Sequence, residues 1–282
     1  MSTERVYLFP RRRDIINPRL LDLAAHTLKR VQTAGLTYSM DELFRSLHIQ
    51  IDVEGDPSIF KSPDGLLLVG SHHQKYESYP LLALAGSSGR NDLYHIALPP
   101  PFSKSSLVSV LLDPLHFGYV LPVLHRQPNH RAGDFFSMLR STVSKMAFAD
   151  GSYFNEVRKQ LNFHSLQKAA ELLKKGHMVS IFPTGNPDKS MEDFWYPGIG
   201  TIIGSLNPNK ARQVKVIPHT IDSQLIEVLH GAQKDFMAGN KPVERHIRMR
   251  IGNPRPAAQF QRATVQETTQ AVKDYYLREM IK

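Results

Sequence analysis

The stretch from Gly65 to Pro80 constrains the fold more than any other. Leu66-Leu67-Leu68-Val69 is an unbroken apolar run between Pro63-Asp64-Gly65 and Gly70-Ser71. Alternate residues of a strand point to opposite faces, so such a run needs cover on both sides, as a central strand in layered α/β folds has. A polar cluster follows at once, Ser71-His72-His73-Gln74-Lys75-Tyr76-Glu77-Ser78-Tyr79-Pro80, and then a new apolar segment from Leu81 to Ala85. Polar residues between a buried strand and the next helix lie at the carboxyl edge of a sheet, where α/β folds bind their ligands.

Within that cluster, His72 and Glu77 are the residues with chemistry. An imidazole that titrates near neutrality, oriented by a carboxylate, makes a general base. The plainer reading of the same pair is a solvated loop histidine beside a loop glutamate.

The remaining chain is read around this stretch. Asn17-Pro18 starts a helix whose apolar positions are Leu20, Leu21, Ala24, Leu28 and Val31, with Gly35 as its stop. Ser39 and Glu42 read as a capping box for a second helix ending near Leu47. Ile49, Ile51 and Val53 alternate as a half-buried strand. Further strands are expected over Leu93 to Leu98, Gly118 to Arg126 with Pro122 at an edge position, Met178 to Phe182, Val214 to Ile221, Ser223 to Leu229 and Arg245 to Ile251. Helices are expected over Ser103 to Leu112, Ala132 to Phe148, Phe163 to Lys175 and Pro197 to Leu206. Thr264 with Glu267 caps a last helix reaching Ile281. Alternating strands and helices imply an α/β fold, a mixed sheet flanked by helices. Residues 1–47 form a short helical N-terminal element, 48–260 the α/β domain and 261–282 a C-terminal helix.

Composition narrows the chemistry. The chain has 282 residues, 41% of them hydrophobic, enough for a sizeable core. It has no cysteine, which excludes disulfides, thiolate metal sites and a cysteine nucleophile. Met1-Ser2-Thr3-Glu4-Arg5 is not the start of a signal peptide, and no apolar stretch reaches the about 18 residues of a membrane span. A soluble chain is expected. The net charge of +9 favours anionic partners: nucleic acid, anionic lipid, or an acidic or phosphorylated substrate. Arg11-Arg12-Arg13 is too short for a nucleic-acid arm, and no basic run is interleaved with aromatics, so no nucleic acid is expected.

Four stretches then fall in order: Ser71-His72 to Glu77, Leu124-His125-Arg126, Phe182-Pro183-Thr184-Gly185, and Val216-Ile217-Pro218-His219. In order and spacing they resemble the glycerolipid acyltransferases, the superfamily of bacterial lysophosphatidate acyltransferase and soluble glycerol-3-phosphate acyltransferase. That family carries Asn-His, four residues and Asp; a strand ending in Arg; Phe-Pro-Glu-Gly; and a late strand with a central Pro. The resemblance covers roughly residues 48–222. Here Ser71 stands where Asn is usual, Glu77 where Asp is usual and Thr184 where Glu is usual, and Asn186-Pro187-Asp188-Lys189 follows the glycine. Aligning on His73 would put Ser78 at the acid position, so the match is made on His72.

The resemblance implies an acyltransferase-like sandwich and transfer of an acyl group from an acyl-CoA or acyl-carrier-protein thioester to a hydroxyl acceptor, glycerol-3-phosphate or a lysophospholipid. His72 and Glu77 would be catalytic, and Arg126, Pro183, Thr184, Gly185 and Lys189 substrate-binding. No cofactor or metal is implied beyond the thioester co-substrate. The setting would be cytoplasmic, or peripheral at the inner face of an anionic membrane, or a plastid stroma-like compartment. The altered motifs also admit a catalytically silent relative that binds lipid or a partner protein. His219, by contrast, is expected to be a satisfied structural histidine.

Overall fold

The structure, a computed structural model, describes residues 18–71, 77–97, 120–122, 152–185, 189–222 and 224–281. The helices expected at 103–112 and 132–148 lie outside these residues.

The chain opens with α1 (Pro18–Ala34) and α2 (Leu36–Ser46), then β1 (Ile49–Glu54), a 3-10 turn and β2 (Leu66–Gly70). There follow α3 (Ser78–Ser87), β3 (Leu93–Ala97), β4 (Val120–Pro122), α4 (Ser152–Lys174) and β5 (Met178–Ile181). The last part holds α5 (Gly198–Gly204), α6 (Pro208–Gln213), β6 (Lys215–Ile221), α7 (Leu225–Ala238), β7 (Arg245–Ile251), β8 (Arg255–Pro256) and α8 (Val265–Met280).

Among the described residues the strands form one mixed sheet in the order β1-β7-β6-β2-β5-β3-β4, with β8 against β6. From β6 to β4 neighbouring strands are parallel. β7 runs antiparallel to β6, and β1 runs parallel to β7. β2 sits between β5 and β6, and Leu66, Leu67, Leu68 and Val69 are each 0% exposed. Burying each such side chain stabilises by roughly 1.5–3 kcal/mol, so this run anchors both layers.

Alternate residues of β2 feed separate cores. Leu67 and Val69 pack with α4, α5 and α8 through residues such as Leu173, Ile199 and Tyr276. Leu66 and Leu68 pack with α2, α3 and α7 through Met40, Leu81 and Leu229. The chain is therefore α/β, with helices on both faces of a mixed sheet. Among the described residues β4 is the terminal strand of the sheet, an edge position that accommodates Pro122.

Two sequence expectations change. Ser223 to Leu229 is not a strand: α7 begins at Leu225, and Leu225, Leu229 and Ala232 form one buried stripe at helical spacing. Ser39 and Glu42 do not cap α2, which starts earlier, after Gly35. Ser39 Oγ donates to the Gly35 carbonyl at 2.6 Å inside the helix, and the Glu42 carboxylate accepts from Arg30 Nε at 2.5 Å and meets His26 Nε2 at 2.9 Å on α1. Packing of α1 on α2 supplies those cations. The box at Thr264 and Glu267 forms as expected, with both reciprocal hydrogen bonds.

Candidate functional site

The crossovers leaving β2 and β5 go to opposite faces. After β2 the chain enters α3, whose Leu81 and Leu82 join the core on one side. After β5 it enters α5, whose Ile199 and Ile202 join the core on the other. Adjacent parallel strands whose connections diverge in this way open a crevice at their carboxyl ends, the switch point where α/β sheets take ligands. Val69 is paired in register with Ile181 of β5 on one side and Pro218 of β6 on the other, so Ser71, Phe182 and His219 emerge along one edge.

Ser71 is 2% exposed, and its Oγ makes no well-aligned hydrogen bond. Close by, the Tyr276 hydroxyl of α8 donates to the His219 carbonyl at 3.2 Å. Burial pushes that phenol up to about 12, with Ser71 offsetting part of the rise. Glu77 immediately precedes α3 and is 3% exposed, so this carboxylate lies inside the fold, not on a solvated loop. It does not cap α3 with its side chain. His72 and Arg126 lie outside the described residues.

Beyond β5 the chain turns tightly. The Gly185 N–H donates to the Phe182 carbonyl at 3.0 Å, closing a β-turn over Pro183 and Thr184. Gly185 has φ +63, a conformation that glycine adopts without the strain of a side chain. Its amide is engaged within the turn. Thr184 is 2% exposed and Pro183 is buried, while Lys189 is exposed. The Tyr196 N–H donates to the Pro183 carbonyl at 2.9 Å and ties the turn to the next segment. That segment is pegged by buried Trp195, whose Nε1 donates to the Met191 carbonyl at 2.9 Å.

His219 is the residue that sequence reasoning undervalued. It is 2% exposed, and among the described residues neither ring nitrogen has a hydrogen-bond partner, so it does not fit the expectation of a satisfied histidine. Burial pushes its pKa down to about 3, and the ring is neutral at ordinary pH. The available signal was its place in β6: Ile217 and Ile221, two residues away on either side, face the same core as His219 must.

Among the described residues no cluster of three or more histidine, aspartate or glutamate side chains is placed to hold a metal, and no helix is long and apolar enough to cross a membrane. No protein-family model matches the chain, and no curated protein sequence matches it.

Proposed function

We propose that this chain is an acyltransferase that moves an acyl group from an acyl-CoA or acyl-carrier-protein thioester to a hydroxyl acceptor, glycerol-3-phosphate or a lysophospholipid. The observation that carries the reading is the switch-point crevice between β2 and β5. It sets Ser71, just past the end of β2, at the same sheet edge as Phe182, the first residue of the Phe182–Gly185 turn, and these residues begin two of the four stretches of the acyltransferase-like pattern.

In this reading the acceptor hydroxyl attacks the thioester carbonyl carbon while His72 takes its proton. Glu77 holds the imidazole tautomer and offsets the imidazolium without itself becoming protonated. The tetrahedral oxyanion collapses, the C–S bond breaks, and the thiolate takes the proton from His72 and leaves as free thiol. The acceptor is the nucleophile, so no serine or cysteine nucleophile is required. Pro183, Thr184 and Gly185 shape the wall of the crevice, and Arg126 and Lys189 supply positive charge for an acceptor phosphate. The work would take place in the cytoplasm or at an anionic membrane face.

The test is thiol release from acyl-CoA and acyl carrier protein, screened against glycerol-3-phosphate, lysophosphatidate and non-phosphorylated alcohols. His72→Ala should lose the roughly 10² to 10⁴ of a positioned base, while His73→Ala keeps most activity. Arg126→Ala should raise KM for a phosphorylated acceptor more than for the thioester. Acceptor binding without thiol release from any donor would turn the reading to a silent, ligand-binding relative.

A further inference from the structure

The His219 imidazole lies against the one residue of β2 that leaves room for it. Gly70 is its register partner, and a Cβ built on Gly70 would overlap Nε2 and Cε1 of the ring. Phe182 meets the same ring edge-on, with centroids 6.2 Å apart and planes at 71°. A neutral imidazole carries one N–H donor and one bare acceptor nitrogen, and here both are buried and unpaired. Unpaired buried polar atoms are rare and costly, and an aliphatic residue like neighbouring Ile217 or Ile221 would avoid the cost. The unsatisfied ring sits at the carboxyl edge, one strand from the β2–β5 crevice and beside the first residue of the Phe182–Gly185 turn.

We propose that His219 is a substrate-binding residue whose ring hydrogen-bonds a neutral hydroxyl of the acyl acceptor. This rests on the acyl-transfer reading and adds to it which end of the acceptor lies deepest. Among the described residues, the neighbours on that face, Gly70, Phe182, Ile217 and Ile221, carry no side-chain charge to balance a phosphate. A hydroxyl matches an uncharged ring as donor or as acceptor, whereas a phosphate belongs with cations.

The experiment uses the full chain labelled with [15N]histidine. The His219 ring resonances are assigned by their loss in His219→Gln, and glycerol, glycerol-3-phosphate and inorganic phosphate are titrated separately. The His219 signals should shift with glycerol and glycerol-3-phosphate and stay still with phosphate. No shift with either polyol, or a shift with phosphate alone, overturns the proposal. Kinetics give a second arm: His219→Leu should melt no lower than the parent protein, because it removes two unpaired polar atoms, and should raise acceptor KM about tenfold with thioester KM unchanged. An unchanged acceptor KM overturns it whatever the melting temperature. Should the Leu variant not fold, the titration of the parent protein decides. Absence of thiol release from the parent protein strikes the acyl-transfer reading instead, and leaves hydroxyl binding by His219 to the same titration.

Discussion

Gly70 and His219 are in-register partners on adjacent parallel strands, and the imidazole of one occupies the space that a side chain on the other would need. Two positions that are 149 residues apart in the chain thus behave as a single packing unit at the sheet edge.

The first prediction follows from that contact. Gly70→Ala should force the ring off its position and destabilise the fold by about 1–3 kcal/mol, the usual cost of overpacking. His219→Ala in the same chain should relieve part of that loss. Urea unfolding of the two single variants and the double variant measures it, and coupling of about 0.5 kcal/mol or more is expected. Strictly additive effects would mean that the two residues do not share this space.

A second prediction concerns acid. The native His219 ring takes a proton only near pH 3, whereas the unfolded ring takes one near its ordinary 6.5. Above 6.5 both states are neutral and the group adds no pH dependence. As pH falls below 6.5 the unfolded chain binds a proton that the native state excludes, so stability declines, by up to about 1.4 kcal/mol per pH unit, until about pH 3. Between pH 7 and 4.5 the parent protein should therefore lose roughly 2–3 kcal/mol more than His219→Leu. Denaturant titrations at the two pH values check this, and parallel losses would count against it.

At the amino edge of the sheet, Arg90 and Asp92 supply a control. Arg90 donates to both Asp92 carboxylate oxygens at 2.6 Å, to the Gly176 carbonyl at 2.6 Å and to the Ser62 carbonyl. His177 Nδ1 meets Asp92 at 3.0 Å. Burial pushes the Asp92 carboxyl up, but the hydrogen bonds and charge of Arg90, with His177, outweigh it and hold it below its usual value. Arg90→Met should cost about 1.5–3 kcal/mol of stability, because it strands a half-buried carboxylate and two carbonyls. Acceptor and thioester KM should not move, since these residues sit at the opposite end of the strands from Gly70. Melting curves and steady-state kinetics on one preparation test both halves.

The last prediction concerns membranes. The final helix buries Tyr275 and Tyr276, 5% and 1% exposed, within the core and leaves only Ile281, at its end, as an exposed large hydrophobic. In the basic stretch of β7, Arg245 pairs with Asp235 at 2.6 Å and Arg250 with Glu54 at 3.2 Å. Attachment is expected through the long-range field of a +9 chain, which is screened beyond about 10 Å at 0.1 M salt. The protein should sediment with anionic vesicles at low salt, be released by high salt and ignore neutral vesicles. Salt-resistant retention would point to the exposed aromatic pair Phe194 and Tyr196, stacked edge-to-face at 5.7 Å, and Phe194→Ala would then abolish it.

The residues that declare their structure in the sequence do so through local physics. Leu66 to Val69 demand cover on two faces, the alternation of Arg245 to Ile251 demands one buried face, and Thr264 with Glu267 closes its box within a single helical turn. From these come the α/β class, the central place of β2 and the polar edge beyond it. What the chain does not declare depends on partners far away along it. Ser39 and Glu42 carry the letters of a cap, but Glu42 finds cations on α1, and Ser223 to Leu229 reads as extended although Leu225 and Leu229 lie on one helical stripe of α7. Glu77 reads as the carboxylate partner of His72, with a solvated loop residue as the plainer reading, and packing buries it. Only the tertiary structure sets β5 beside β2 with their crossovers on opposite faces, because crossover direction is decided by which helices cover which side. The same holds for His219. Whether a buried imidazole is satisfied depends on every polar group within reach, and here Gly70 and Phe182 bring none.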